Sequence, residues 1–169
     1  MELPKIANLP GSEYPFIIAV DTREQAPFTF ANYSAFPDTE TPIYTRRVGL
    51  KTGDYSIMGL EKRVCIERKS KQDLFGSVTT GRERFEREFQ RMSQMDRAAL
   101  VCEASQESIL EGFENSQMDG ANVLRTFLSW SGRYRVPCFF CTNRSEAEWV
   151  TLEFLRFFWK ELTESHHEE

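Results

Sequence analysis

VGLKTGDYSIMGLEKRVCIERKSKQD, residues 48–73, sets Asp54, Glu67, Lys69 and Asp73 among hydrophobic residues. A charge buried without compensation is costly, so acids beside an apolar strand face a cation, a hydrogen-bond network or a metal ion. The stretches GDYSIMG and KRVCIERK are both strand-like, and Gly59 lies in the turn between them, so the segment is predicted to fold as a hairpin. Side chains alternate along a strand. Val64, Ile66 and Arg68 therefore share one face of the second strand, and Cys65, Glu67 and Lys69 share the other. Closing the hairpin brings Asp54, at the start of the first strand, near Glu67, at the end of the second.

Two carboxylates converging on one point repel unless a cation joins them. A hard divalent ion with oxygen ligands, Mg²⁺ or Mn²⁺, meets that need and keeps waters for chemistry. Beside such an ion, Lys69 can stabilise an attacking hydroxide or the charge developing on a phosphate oxygen, which metal-assisted phosphodiester hydrolysis requires. Asp, spacer, Glu-x-Lys is the PD-(D/E)-x-K nuclease arrangement. On spacing alone, a surface hairpin with an i, i+2 ion pair fits at least as well.

The fuller string is more specific. Gly53-Asp54, then Glu67-Arg68-Lys69, then Asp73 matches GD-x(n)-E-R-K-x-x-x-D, and the chain resembles the nuclease domain of the XPF-family structure-specific endonucleases. VDTRE at 20–24 resembles that family's first-strand motif, and ERKSKQDLFGSVTTGRERF resembles its run from the catalytic strand into the next helices; together the resemblance spans about residues 16–140. It implies a restriction-endonuclease-like α/β fold, a mixed central sheet flanked by helices. It also implies Asp54 and Glu67 as principal metal ligands and Lys69 as the catalytic lysine. Asp21, also a metal ligand, and Glu24 add acids from the neighbouring strand end, and Asp73 completes the site from the next helix. Arg23 and Arg68 match motif arginines that contact a phosphate or pair with a site carboxylate. Arg68 projects away from Glu67 and Lys69, which favours a structural or phosphate-positioning role. The implied substrate is DNA, branched, flapped or forked, and the implied setting is DNA repair or recombination.

Outward from this segment, FIIAVD at 16–21 is an apolar run and a predicted buried strand, IYTRRV at 43–48 a second strand, and the Pro-rich 31–42 a loop. Ser70 caps a helix over KQDLFGSV. In RERFEREFQRM, Phe85, Phe89 and Met92 form one apolar stripe, while Arg84, Arg87 and Arg91 recur on another face, open to solvent or phosphate. Arg82, Arg84 and Arg87 are the candidates for contact with the DNA backbone. AALVCEA is a buried strand, followed by a short helix near SQESILEGF, a longer one over DGANVLRTFLSWSGRY, the strand CFFCT, and a final helix from about Glu146 to Leu162. Strands gathered as a meander and then alternating with helices predict a mixed α/β sheet covered on both faces.

With 169 residues, 40% of them hydrophobic, the chain suits one domain: residues 16–162, with an N-terminal extension over 1–15 and a polar tail over 163–169. No apolar run reaches the length of a membrane span and no export signal is visible, so a soluble intracellular protein is expected, cytoplasmic in a prokaryote or phage and nuclear in a eukaryote. Cys65, Cys102, Cys138 and Cys141 lie in strand-like runs, as core thiols of a reducing compartment. Cys138 and Cys141 have C-x-x-C spacing but point to opposite faces of a strand, and His166 and His167 sit in the tail. The net charge of −5 argues against a protein that coats nucleic acid by bulk electrostatics. Residues 41–100, however, carry 13 Lys and Arg against 8 Asp and Glu, which places a basic face on the segment that holds the motif.

Nothing after residue 140 resembles the helix-hairpin-helix domain that members of the family use to bind DNA and dimerise. Trp149, Phe157, Phe158 and Trp159 spread around the final helix too widely to face one core, so a subunit interface is expected, in a homodimer or heterodimer. The alternative function is a non-catalytic DNA-binding or partner subunit, weakened because the acids and the lysine are all present. A single-stranded DNA or RNA target stays open.

Overall fold

The computed structural model describes residues 16–35, 40–114 and 116–164. The N-terminal extension, His166 and His167 lie outside the described residues. Six strands form a single sheet in the order β2-β1-β3-β4-β5-β6. They are β1 (Ile18–Asp21), β2 (Thr45–Val48), β3 (Tyr55–Ile57), β4 (Val64–Lys69), β5 (Arg97–Cys102) and β6 (Cys138–Phe140). The helices are α1 (Lys71–Val78), α2 (Arg82–Met92), α3 (Gln106–Leu110), α4 (Gly120–Tyr134) and α5 (Arg144–Glu164).

The predicted hairpin forms: β3 runs antiparallel to β4, with Tyr55 opposite Ile66. β4, β5 and β6 then pair in parallel, and helices carry the chain between them. The expected meander does not form. β1 lies between β2 and β3, parallel to the first and antiparallel to the second. The reason is composition together with chain length. β1 (IAVD) is buried along its whole length and belongs inside the sheet, whereas β2 (TRRV) is largely exposed and suits an edge. The long connection between them supplies the crossover that parallel pairing needs.

Strand alternation builds two cores. Val64 and Ile66 of β4 and Ala99 and Val101 of β5 face α5, packing with Ala147, Leu152, Leu155 and Phe158. Cys65, Ala98, Leu100 and Cys102 face the other way, toward Phe75 of α1, Phe85 and Phe89 of α2, and Phe127 and Trp130 of α4. Cys141 joins the first core and Cys138 the second, so the C-x-x-C pair is split by the sheet. The four cysteines are free thiols. A Cβ on Gly120 would come within 1.9 Å of the Ile109 carbonyl oxygen, so glycine is what lets α4 start against α3.

α5 starts at Arg144 and runs past Leu162, longer than its apolar pattern indicated. Of the four aromatics expected at an interface, Phe158 is buried, Trp159 packs against Phe16 with ring centroids 6.0 Å apart, and Trp149 and Phe157 are 51% and 61% exposed. No helix among the described residues is long and apolar enough to cross a membrane.

Candidate active site

The C-terminal half of β4 turns from apolar to charged, and a cleft of about 640 Å³ opens at that end of the strand. Its lining joins Arg23 and Glu24 after β1, Lys51, Gly53 and Asp54 before β3, Glu67, Arg68 and Lys69 of β4, Asp73 of α1, and Arg84, Phe85, Glu88 and Arg91 of α2.

Two backbone contacts aim Asp54. Its own N–H donates to the Ile66 carbonyl at 2.7 Å, and its Oδ2 accepts the Arg68 N–H at 2.8 Å. The turn before it depends on Gly53, whose φ is +75°; a Cβ there would lie 2.8 Å from Cys65 Cβ and 2.9 Å from the Ile66 carbonyl oxygen. Glu67, one residue past Ile66, is buried, and Lys69 Nζ meets its Oε1 at 2.6 Å. The same ammonium lies 4.6 Å from the centroid of the Phe85 ring, which fixes the lysine from its other side.

The charges do not balance. Lys69 neutralises one carboxylate where there are two. Burial first, and the Glu67 charge second, push Asp54 up to about 8. Burial also raises Glu67, against the pull of Lys69. Burial alone would lower Lys69, but the Glu67 charge and hydrogen bond outweigh it and hold the group as an ammonium. Among the described residues no three His, Cys, Asp or Glu side chains stand together in a way that could hold a metal ion. Two carboxylates are nonetheless the usual protein share for Mg²⁺ or Mn²⁺, which retain waters and take phosphate oxygens. Asp54 and Glu67, hard oxygen donors that one lysine cannot neutralise together once both are ionised, fit such an ion.

The remaining motif residues divide. Asp21 is buried and turned onto Arg23, accepting its N–H at 2.7 Å, Nε at 2.9 Å and Nη2 at 2.7 Å, with the Leu50 N–H on Oδ2 at 3.1 Å. Burial would raise its carboxyl, but these bonds and the Arg23 charge hold it below the usual range. Asp21 does not line the cleft; in this arrangement it steadies Arg23, whose side chain is 73% exposed. Glu24 lines the cleft and pairs with Arg68 Nη1 at 3.1 Å. Arg68 also bonds Glu103 through Nε at 2.7 Å, and at 12% exposure it is locked in an internal ion-pair chain rather than offered to a phosphate. Asp73 accepts from the Ser70 hydroxyl at 2.6 Å while its N–H donates back to that oxygen at 3.1 Å, so it faces the cleft as part of the α1 cap.

Of the candidate DNA-contacting arginines, Arg23, Arg68 and Arg84 line the cleft, Arg68 with its guanidinium already paired to Glu24 and Glu103. Arg82 and Arg87 do not. Arg82 lies over the Trp130 ring, 5.2 Å from its centroid, and bonds Thr126; Arg87 is 4.0 Å from Glu83. Lys51 and Glu88 are cleft residues that the motif does not contain, and Arg91 joins Arg84 at the rim. Of the face expected from 84, 87 and 91, Arg84 and Arg91 reach the cleft and Arg87 does not, with Glu88 between them instead. Which flank of the stripe 85, 89, 92 would face the motif was not visible in the sequence.

Residues 20–152 match the family model of the ERCC4 domain. Among solved structures, XPF from Aeropyrum pernix superposes with a TM-score of 0.63 at 14% identity, covering 83% of this chain and 60% of that one. The same archaeal protein in complex with DNA gives 0.59 at 14% identity, covering 86% and 66%. Likeness at that identity establishes the fold, and the chain spans less than two thirds of these XPF chains. No curated protein matches the sequence.

Proposed function

Since the chain belongs to the ERCC4 domain family, we propose that it is a divalent-metal-dependent DNA endonuclease acting on branched, flapped or forked duplexes. The observation that carries this reading is the pairing of Asp54 and Glu67 at the floor of a cleft rimmed by Arg23, Lys51, Arg84 and Arg91. Acids at the floor suit a cation, and cations at the rim suit a phosphate backbone. That the XPF neighbour was solved in complex with DNA supports the same substrate class.

In the proposed reaction water attacks phosphorus, the bond from phosphorus to one sugar oxygen breaks, and one fragment keeps the phosphate while the other gains a hydroxyl. A bound Mg²⁺ or Mn²⁺ would polarise the phosphate and lower the pKa of the attacking water. Asp54 and Glu67 would hold that ion. Lys69, fixed between Glu67 and the Phe85 ring, would donate to the oxygen on which charge grows. Arg84 and Arg91 on one wall, and Arg23 and Lys51 on the other residues of the rim, would hold the flanking phosphates.

A second copy is proposed as partner. Phe139 of β6 and Phe154 of α5 pack 6.3 Å apart, and Phe154 shares a surface depression with the exposed Phe157. Such a patch suits a symmetric interface, which would give a branched substrate a second contact surface. The four free thiols suit a reducing compartment.

Labelled flap, fork, junction, linear duplex and single-stranded DNA and RNA, each incubated with Mg²⁺ or Mn²⁺, test the activity. Cleavage of the branched DNAs above the rest is expected. Binding without cutting would favour the non-catalytic subunit instead. Light scattering tests the dimer, and a monomeric mass at micromolar concentration would contradict it.

A further inference from the structure

Glu88 lines the cleft with Asp54, Glu67 and Asp73 but stands outside their motif, and the reaction proposed above gives it no task. It sits on α2 four residues after Arg84 and three before Arg91, beside the buried stripe of Phe85, Phe89 and Met92. Its side chain is 15% exposed. One oxygen accepts the Gly53 N–H at 3.3 Å and the other pairs with Arg91.

The Gly53 contact is the informative one. Gly53 must be glycine because a Cβ would strike Cys65 and Ile66, so this turn has no side chain of its own with which to lock itself. The next residue is Asp54. Its carboxylate is aimed at one end by the Arg68 N–H and, through the backbone, by whatever holds Gly53. The Asp54 N–H ties the far side of the turn to the Ile66 carbonyl, and the Glu88 acceptor holds Gly53 itself, reaching it from a helix anchored in the aromatic core.

We propose that Glu88 is a positioning residue: by accepting the Gly53 N–H it fixes the turn that presents Asp54 to the metal ion, and by pairing with Arg91 it ties that turn to the rim. The inference rests on the nuclease reading of the cleft. Partners that orient metal ligands typically change metal affinity tenfold to a hundredfold when removed.

The test uses Mn²⁺ alone, titrated calorimetrically into the wild type, Glu88→Gln and Glu88→Ala, with thermal melting in parallel. The glutamine keeps an acceptor for Gly53 and the alanine keeps none. Glu88→Ala is expected to weaken Mn²⁺ binding by about tenfold or more, and Glu88→Gln to stay within about threefold of the wild type. On a labelled fork, kcat should follow Mn²⁺ affinity while KM moves little. If the alanine variant does not fold, Glu88→Met, similar in length and without an oxygen acceptor, replaces it under the same expectation. Unchanged Mn²⁺ affinity in the variant without the acceptor overturns the proposal, since Glu88 then serves packing alone. A glutamine variant as weak as alanine also overturns it, because the charge and not the tether would matter. A wild type that binds no Mn²⁺ sinks the nuclease reading and this inference together. Wild-type binding without DNA cleavage sinks the first and leaves the second standing.

Discussion

Helix α2 separates two regions built on opposite rules. On one side Phe89, fully buried, meets Phe85, Phe127 and Trp130 with ring centroids 5.4–6.1 Å apart. On the other, Arg84, Glu88 and Arg91 face a cleft where Asp54, Glu67 and Lys69 share a partly buried space. The aromatic side gains free energy for every group it takes from water. The cleft side does the reverse, keeping two carboxyl groups and one lysine partly buried, where burial pushes both carboxyls up. The lesson is a division of labour about one helix wide: the slab stabilises the fold, and that surplus lets the cleft remain electrostatically unsatisfied. The two regions touch where the Lys69 ammonium rests against the Phe85 ring.

Substitutions on the two sides should therefore separate cleanly. On the cleft side, Lys69→Met should lower single-turnover cleavage by about a thousandfold or more, roughly 4 kcal/mol of barrier, with DNA affinity in fluorescence anisotropy within about threefold of wild type. Retained cutting would erase the distinction between the regions. On the slab side, Phe89→Ala should cost about 3–4 kcal/mol in urea denaturation while the folded fraction still cuts within several-fold of the wild-type rate.

A subtler contrast follows from the sign of the Asp54 shift. Its carboxyl is raised from 3.8 to about 8 in the metal-free protein, so between those values the folded state binds a proton that the unfolded state has released. The metal-free protein should then lose stability as pH rises from about 4 to about 8 and stay level above. Asp54→Asn should flatten that slope and raise metal-free stability at pH 8 by roughly 1–2 kcal/mol, read from thermal melts across pH. A slab substitution should shift every point of the profile equally. The smallest effect distinguishes two neighbours on α2: Arg84→Ala should reduce the salt dependence of DNA binding by about one phosphate contact, and Arg87→Ala should leave it unchanged.

The slab and the floor of the cleft were legible in the sequence because both follow from local periodicity. Phe85, Phe89 and Met92 repeat at helical spacing, and the parity of β4 puts Glu67 beside Lys69. The hairpin that brings Asp54 to Glu67 follows from one glycine-containing turn. What escaped depends on contacts between segments distant in the chain. The interior place of β1 was readable from its apolar run, but its parallel pairing with β2 was hidden because a long connection separates the two strands. The burial of Arg68 is decided by Glu24 and Glu103, which neither spacing nor composition links to it. Arg82 was drawn from the cleft by Trp130, 48 residues further on. Lys51 and Glu88 enter the cleft only because the Gly53 turn and α2 meet.

The central claim is that Asp54 and Glu67 hold a divalent ion that drives cleavage of structured DNA. The direct measurement is cleavage of a labelled fork by wild type and Asp54→Asn, in Mn²⁺ and in excess chelator, with folding of both proteins checked by circular dichroism. The account predicts cutting by the wild type in Mn²⁺ only, and a loss of about a thousandfold or more in a folded Asp54→Asn protein. Full cleavage by that variant, or by the wild type in excess chelator, would contradict it.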